Sequence, residues 1–367
     1  MSESRPVGPP VFEVSQLAVA LGGKTVLEVP SLQVMANEVL AVIGPNGSGK
    51  TTLLLSLASL LRPAAGSIRY RGQAVGGAGN LGLRRKFAVV FQEALLLNTS
   101  VRDNVTLGPR LRGVGRTEAA DRARRWLERF GIASLASRQA RTLSGGEAKR
   151  VSLARAFALQ PEVLFLDEPF SALDAPTRQG VMEDFEEVMR ETRVTTVMVT
   201  HDRNEAAALA DRAAVLIEGR IRQIGSPEEV FACPADEAVA GFLGAGNILH
   251  GLVTAQSGGL ASVQVGDRQL YAVSGLAAGT RVSVFLNHED ITLSRPSPPA
   301  ASSARNRLTG RIVRLFPLGS QVSVTLDCGF PLSALITRRS REEMALGAGQ
   351  ELAALFKASS VHLIPRR

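Results

Sequence analysis

The chain has 367 residues, an apolar fraction of 45% and a net charge of +8. That length allows two or three domains with sizeable cores, and no apolar run approaches the roughly 20 residues of a membrane-spanning helix. Two cysteines in dissimilar settings, Cys233 and Cys328, argue against a disulfide framework and suit a reducing compartment. The basic excess is uneven. Residues 304–367 carry ten Arg or Lys against four Asp or Glu, while 246–303 balance at three against three. Such an excess fits a solvated surface, an anion site or a nucleic-acid contact.

Met1 to Pro10 is rich in Pro and Gly and lacks the apolar core of a signal peptide, so residues 1–10 are expected to be a disordered tail. Val11 to Val19 and Thr25 to Val34 alternate like strands around a Gly22-Gly23 turn. Val39 to Ile43 follows as a buried strand and leads into Gly44-Pro45-Asn46-Gly47-Ser48-Gly49-Lys50-Thr51-Thr52. Gly44 to Thr51 fits G-x-x-x-x-G-K-[ST], the phosphate-binding loop. Its glycines permit turns that aim successive N–H groups into one cavity. Lys50 supplies a point charge for the outer phosphates, and the Thr51 hydroxyl can ligate Mg²⁺. Thr52 to Leu61 reads as the helix whose positive end faces those phosphates.

Ser67 to Tyr70 and Phe87 to Phe91 are short strands, the second ending at Gln92. A polar residue just past the carboxyl end of a buried strand occupies a ligand-facing position in an open α/β sheet. From about 93 to 158 the sequence is helical and Arg-rich, an insert in the nucleotide domain. Ala119, Ala123, Trp126, Leu127 and Phe130 share one helix face there. Leu143-Ser144-Gly145-Gly146-Glu147 opens a helix with Ser144 as N-cap and two glycines exposing backbone N–H groups. Val163 to Leu166 then delivers Asp167 and Glu168 to the sheet edge. Asp167 suits a Mg²⁺ shell, and Glu168 suits polarising a water for attack on a γ-phosphate. Ser171-Ala-Leu-Asp174 precedes an amphipathic helix. His201 ends the strand Thr195 to Thr200, a third polar residue at a strand's carboxyl end.

In order and type, Gly44 to Thr51, Gln92, Leu143 to Glu147, Val163 to Glu168 and His201 closely resemble the motifs of the ATP-binding subunit of ABC transporters, over residues 11–243. The resemblance implies an α/β P-loop ATPase cassette with a helical insert, binding ATP and Mg²⁺ as a head-to-tail homodimer. Lys50, Thr51, Gln92, Asp167, Glu168 and His201 of one copy would face Ser144, Gly145 and Gly146 of the other across ATP. Thr51, Gln92 and Asp167 would serve the metal, and Asp174 would communicate between the two sites. Integral membrane permease subunits would contact the insert, and an extracytoplasmic binding protein would act through them. The subunit would then sit peripherally on the cytoplasmic side of the inner membrane. The family's adenine-stacking aromatic position holds Leu21, and Glu147 stands where Gln is commoner.

Gly244, Gly246 and Asn247 break the pattern. The remainder carries a loose repeat, 246–295 and 304–367, joined by a Pro- and Ser-rich linker at 296–303. Asn247-Ile-Leu-His-Gly251 matches Asn306-Arg-Leu-Thr-Gly310, and Ile291-Thr-Leu293 matches Val361-His-Leu363. Short strands with Gly turns suggest two small all-β, OB-like barrels. The second copy resembles the molybdate-binding Mop (TOBE) domain, whose members hold a tetrahedral oxyanion through hydroxyls, backbone N–H and Lys. The matching positions are Ser303, Arg305, Thr337, Ser340, Lys357, Ser359 and Ser360. The two resemblances together imply the ATPase of a molybdate or tungstate importer. A sulfate, polyamine or sugar importer with the barrel as a spacer is the alternative. A soluble ABC ATPase acting on nucleic acid or ribosomes would favour paired cassettes or a coiled coil, and neither is present. Phe316, Phe330 and Phe356 form no obvious base-stacking platform, so no nucleic-acid partner is expected.

Overall fold

The computed structural model describes residues 9–75, 80–244, 246–296 and 302–366. Most of the expected tail and the middle of the expected linker lie outside the described residues. By internal contacts the chain forms two compact units, residues 1–228 and 229–367.

The first unit opens with a hairpin, β1 (Pro10–Leu21) and β2 (Lys24–Met35), and then β3 (Val39–Ile43) and α1 (Lys50–Leu57). β4 (Ala65–Tyr70) and β5 (Gln73–Val75) extend the hairpin into a four-stranded antiparallel sheet, β2-β1-β4-β5. After α2 (Leu81–Arg84) and β6 (Phe87–Val90) come the insert helices α3 (Val101–Leu111), α4 (Arg116–Arg129) and α5 (Gly145–Ala158). β7 (Val163–Asp167), α6 (Ala175–Thr192), β8 (Thr195–Thr200), α7 (Arg203–Leu209), β9 (Arg212–Ile217) and β10 (Arg220–Gly225) complete a six-stranded sheet, β10-β9-β3-β8-β7-β6. All its pairings are parallel except β9 with β10.

The continuous apolar runs noted in the sequence are the central strands of that parallel sheet. Every residue of β3, β7 and β8 is buried, as expected where both faces are covered. Leu53, Leu54 and Leu57 of α1 share one core with residues of both sheets. Phe12, Tyr70, Phe87 and Phe165 close it with ring centroids 5.0 to 5.9 Å apart. In the insert, Ala119, Ala123 and Leu127 are the buried face of α4, as the helical periodicity required. Trp126 stacks on Phe157 of α5 at 4.8 Å.

The chain passes into the second unit within α8 (Pro227–Ala232). The expected boundary after residue 243 therefore falls later than the division by contacts. The cause is α9 (Glu237–Phe242): its Ala240 is buried with Phe285 and Ile364, and its Glu237 bonds Ser283 and pairs with Arg366.

Each repeat supplies strands of nearly equal order, β11 (Asn247–Ser257), β12 (Leu260–Val265), β13 (Arg268–Val273), β14 (Arg281–Leu286) and β15 (Thr292–Ser294), then β16 (Asn306–Leu318), β17 (Gln321–Asp327), β18 (Pro331–Thr337), β19 (Glu351–Phe356) and β20 (Val361–Pro365). α10 (Arg338–Glu343) follows β18. The strand order shows how the two copies of the repeat combine. The sheets are β13-β12-β11-β14-β20 and β15-β19-β16-β17-β18, so each copy's last strand lies in the other copy's sheet. A single core runs from Leu249 to Leu363 through both copies. The two exchanged strands have nearly the same apolar pattern, so local sequence does not choose between partners.

Two buried asparagines lock the exchange. Asn306, at the start of β16, accepts from the Tyr271 N–H at 2.7 Å and donates to the Tyr271 carbonyl at 2.9 Å. Asn247, at the start of β11, accepts from Ser333 N–H at 2.6 Å and donates to its carbonyl at 2.9 Å. Tyr271 and Ser333 lie on the edge strands β13 and β18. Each Asn thus closes the free edge of the opposite sheet, a place where unpaired backbone groups invite aggregation. Replacing Asn306 with Ala should lower stability by about 1–3 kcal/mol, since a buried pair of backbone groups loses its partner. Hydrogen exchange should speed up at Tyr271 while β3 is unaffected, and unchanged exchange at Tyr271 would rule out the lock.

Candidate active site

Register builds the site. Ile43 of β3 pairs with Thr200 of β8, Asp167 of β7 with Val199 of β8, and Val90 of β6 with Leu166 of β7. The strands end in one row, so Gly44, His201, Glu168 and Gln92 leave the sheet side by side at its carboxyl edge.

The loop after β3 turns through Gly47 and Gly49, with φ of 79° and 99°. Gly44 is needed for a different reason. A Cβ there would meet the Leu216 carbonyl oxygen at 2.0 Å and the Ser48 Oγ at 2.8 Å. Ser48 is buried, and its Oγ has no hydrogen-bond partner within the chain. Lys50 is also buried. Its Nζ donates to the carbonyls of Gly44 at 2.9 Å and Pro45 at 3.0 Å, and lies 4.0 Å from Glu168 Oε1. Burial pushes the Lys50 ammonium down from its ordinary pKa, and Glu168 and Asp167 oppose that. Asn46 and Thr52 complete the loop and the first turn of α1.

Thr51 Oγ1 donates to Asp167 Oδ1 at 2.9 Å. Burial raises the Asp167 carboxyl, the Thr51 hydrogen bond lowers it, and neighbouring Glu168 raises it further. Glu168 itself adopts a left-handed φ of 42°. That backbone is fixed from both sides, by its N–H to the Val199 carbonyl at 2.9 Å and by Ser171 Oγ to its own carbonyl at 3.1 Å. A strained non-glycine residue costs on the order of 1–3 kcal/mol and persists where the surroundings over-determine it. The turn brings Glu168 Oε2 to 3.2 Å from His201 Nδ1. Direct contacts therefore bring Lys50, Thr51, Asp167, Glu168 and His201 together.

Gln92 stands beside this group through its backbone, whose carbonyl accepts from Lys149 Nζ at 2.8 Å. Ser144, Gly145 and Gly146 form a second neighbourhood at the start of α5. Ser144 and Glu147 make a reciprocal capping box, with Ser144 N–H to Glu147 Oε2 at 2.7 Å and Glu147 N–H to Ser144 Oγ at 3.3 Å. The carboxylate at position 147 thus has a helix-capping task. A Cβ on Gly146 would meet Thr177 Cγ2 at 2.3 Å, which seats this helix start against that of α6. Asp174 caps α6, accepting from Thr177 N–H at 3.1 Å, and is exposed. Leu21 is 47% exposed at the end of β1.

Some participants escaped the sequence reading. Lys149 is buried, with its ammonium pushed down to about 8 by desolvation. Arg178 donates to Asp202 at 2.9 Å and to the Leu173 carbonyl at 3.2 Å, joining the segment around Asp174 to that after His201. Buried Glu205 accepts from Thr200 Oγ1 at 2.6 Å. Each is a charged residue inside a helix, where nothing local distinguishes it from a solvated charge.

The site's motifs have counterparts in known proteins. Residues 27–171 match the ABC transporter family model, and residues 302–363 match that of the TOBE domain. The molybdate/tungstate import ATP-binding protein WtpC of Pyrococcus horikoshii is 36% identical over 91% of this chain and 94% of its own length. The chain belongs to the ABC transporter family. It is the ATP-binding subunit of an ABC importer, and it hydrolyses ATP in step with transport. The spermidine/putrescine import ATP-binding protein PotA of Trichodesmium erythraeum is 34% identical over 84% of this chain and 83% of its own length. The sulfate/thiosulfate import ATP-binding protein CysA 2 of Chromobacterium violaceum is 37% identical over 81% and 80%. Among solved structures, cbiO1 of Clostridium perfringens, part of an ABC transporter complex, has a TM-score of 0.58 at 30% identity, covering 63% of this chain and 93% of that one. An importer subunit of this family works with membrane permease partners. Among the described residues no helix is long and apolar enough to cross a membrane.

The importer subunit's phosphate loop yields a direct test. Gly44→Ala drives a methyl group into the backbone of Leu216. It should destabilise the fold by about 1–3 kcal/mol and weaken ATP binding at least tenfold, in the range of overpacked sites. A variant with wild-type melting temperature and nucleotide affinity would contradict the packing described.

Proposed function

We propose that this subunit powers the uptake of molybdate or tungstate, as a homodimer bound to permease subunits on the cytoplasmic face of the inner membrane. The ion would reach those permease subunits from an extracytoplasmic binding protein. No nucleic-acid partner belongs to this reading. The main support for the ion is the similarity to the molybdate/tungstate import proteins of two Pyrococcus species, which spans both units of the chain.

For ATP hydrolysis, the residues divide the work by chemistry. Thr51 Oγ1 and the Asp167 carboxylate, 2.9 Å apart, are hard oxygen donors suited to Mg²⁺, with Gln92 as a third. Among the described residues no group of three His, Cys, Asp or Glu is placed to hold a metal ion by itself. When bound, Mg²⁺ would neutralise charge on the phosphate oxygens as the terminal bond breaks. Lys50 would exchange the Gly44 and Pro45 carbonyls for the outer phosphates, and the unpartnered Ser48 Oγ lies in the same cradle. Glu168 orients a water and accepts its proton as the water oxygen bonds to the γ-phosphorus and ADP departs. His201 holds the Glu168 carboxylate. Ser144 and Gly145 are exposed at the start of α5, which supports their facing the partner's nucleotide. A solved neighbour, 26% identical with a TM-score of 0.54, is a dimeric cassette bound to ADP and Pi. In that arrangement Asp174, at the start of α6, would carry the signal between the two sites. Leu21 would face the adenine without aromatic stacking.

The candidate oxyanion residues divide within one chain. Asn306 pairs with Phe356, so Arg305 and Lys357 leave the sheet together, with Ser303 before one and Ser359 and Ser360 after the other. Thr337 pairs with Gln321 at the far end of β16, where its Oγ1 accepts from Ser340 N–H at 3.0 Å in capping α10. Two cations and nearby hydroxyls favour an anion at the first end. Thr337 and Ser340 would join only from another copy. An ion bound there could restrain the ATPase through a coupling of about 1–3 kcal/mol. Otherwise the second unit is a spacer, as a polyamine or sulfate importer would allow.

Two measurements test these assignments. Glu168→Gln should retain ATP binding, lose most turnover and accumulate an ATP-bound dimer; wild-type turnover would remove Glu168 from its role. Calorimetry on the full-length protein should detect molybdate or tungstate well above sulfate, and more weakly in Lys357→Ala. Equal responses to all three ions would leave the second unit as a spacer.

A further inference from the structure

Beyond β6 the chain crosses from the sheet to the insert through Phe91 to Leu95 without regular secondary structure. Backbone carbonyls in such a crossing need partners, and four of these find them on a single helix. Lys149 of α5 is 3% exposed. Its Nζ donates to the Phe91 carbonyl at 3.0 Å and to the Gln92 carbonyl at 2.8 Å. Further along the same helix, Arg155 donates Nη1 to the Leu95 carbonyl and Nη2 to the Ala94 carbonyl, each at 2.8 Å. Asn104 of α3 takes over from there, bonding both the N–H and the carbonyl of Leu97. The crossing is thereby fastened to the insert helices along its length.

We propose that Lys149 and Arg155 are positioning residues for the ATPase reaction, tethering the Gln92 segment to α5 so that Gln92 moves with the helix that starts at Ser144. The proposal rests on the reading of Gln92 as a metal-side ligand and of Ser144 as facing the partner's nucleotide. Lysine and arginine only donate and carbonyls only accept, so each bond is charge-assisted and unambiguous in direction. Because the targets are main-chain atoms, the clasp fixes the Gln92 backbone and leaves its side-chain amide free to reach a ligand. Ser144 is about 7.5 Å from Lys149 along the helix axis, so a displacement at the cap is carried to the clasp by a rigid segment. Arg155 reaches its two carbonyls with separate nitrogens of a planar fork, whereas Lys149 reaches its two from one ammonium, so a lysine at 155 would hold its pair less firmly.

The test uses the full-length protein, with two readouts. Lys149→Met keeps side-chain length and removes the donors. It should raise the Mg²⁺ concentration for half-maximal ATPase about tenfold, the scale of a lost hydrogen bond to a charged group. It should also speed amide exchange across residues 91–97 while leaving β3 unchanged. Because the clasp acts through Gln92, its effect on Mg²⁺ dependence should vanish in a Gln92→Ala background. Arg155→Lys should reproduce the pattern more weakly, and Lys149→Arg should largely rescue it. These two variants decide the matter if Lys149→Met does not fold. Unchanged exchange across 91–97, or losses that add to those of Gln92→Ala, would overturn the proposal. If Gln92→Ala alone leaves Mg²⁺ dependence intact, the reading of Gln92 falls and the catalytic purpose of the clasp falls with it. The exchange measurement still reports separately whether the tether exists.

Discussion

The parallel register of β3, β8 and β7 is the constraint from which the active site follows. Three wholly buried strands end in one row, and each hands its next residue to the same edge. The phosphate loop can be short because α1 is held between the two sheets by Leu53, Leu54 and Leu57. A shift of one residue in any of these pairings would turn Asp167 or Thr200 to the opposite face of the sheet. The core thus sets catalytic geometry as well as stability.

Charge at that edge is balanced by burial. Lys50 and Lys149 are desolvated ammonium groups, and Asp167 is a desolvated carboxyl. Each is costly alone, and each is held by carbonyls, a hydroxyl or an opposite charge. Lys50 bonded to its own loop and Glu168 bonded toward His201 are groups already near where phosphate and water would need them.

The second unit uses reciprocity instead of a single site-forming edge. Its copies exchange last strands and clasp one another's sheet edges through Asn247 and Asn306. Exchange merges two small cores into one, which suits segments that would each bury little surface alone. It also distributes the polar residues of the second copy to two ends of a sheet, giving the unit one end with Arg305 and Lys357 together and another where the hydroxyls cap a helix.

The sequence by itself determined the strand–loop–helix at Gly44 to Thr51, the acidic strand end at Asp167 and Glu168, and the helix start at Ser144. In each, local spacing and residue chemistry carry the whole signal: glycines where φ is positive, a run of apolar residues before the carboxylates, and a hydroxyl three positions before Glu147. It also revealed the repeat after Asn247. Tertiary structure alone decided which strands of that repeat pair, because two near-identical apolar patterns fit either partner. It alone decided that Lys149 and Arg155 face the chain near Gln92, since a buried cation in a helix has the same local signature as a solvated one. The same holds for α9, whose attachment to the second unit depends on Phe285 and Ile364, residues far along the chain. Patterns within one element are written in the sequence; partners between distant elements depend on which surfaces meet.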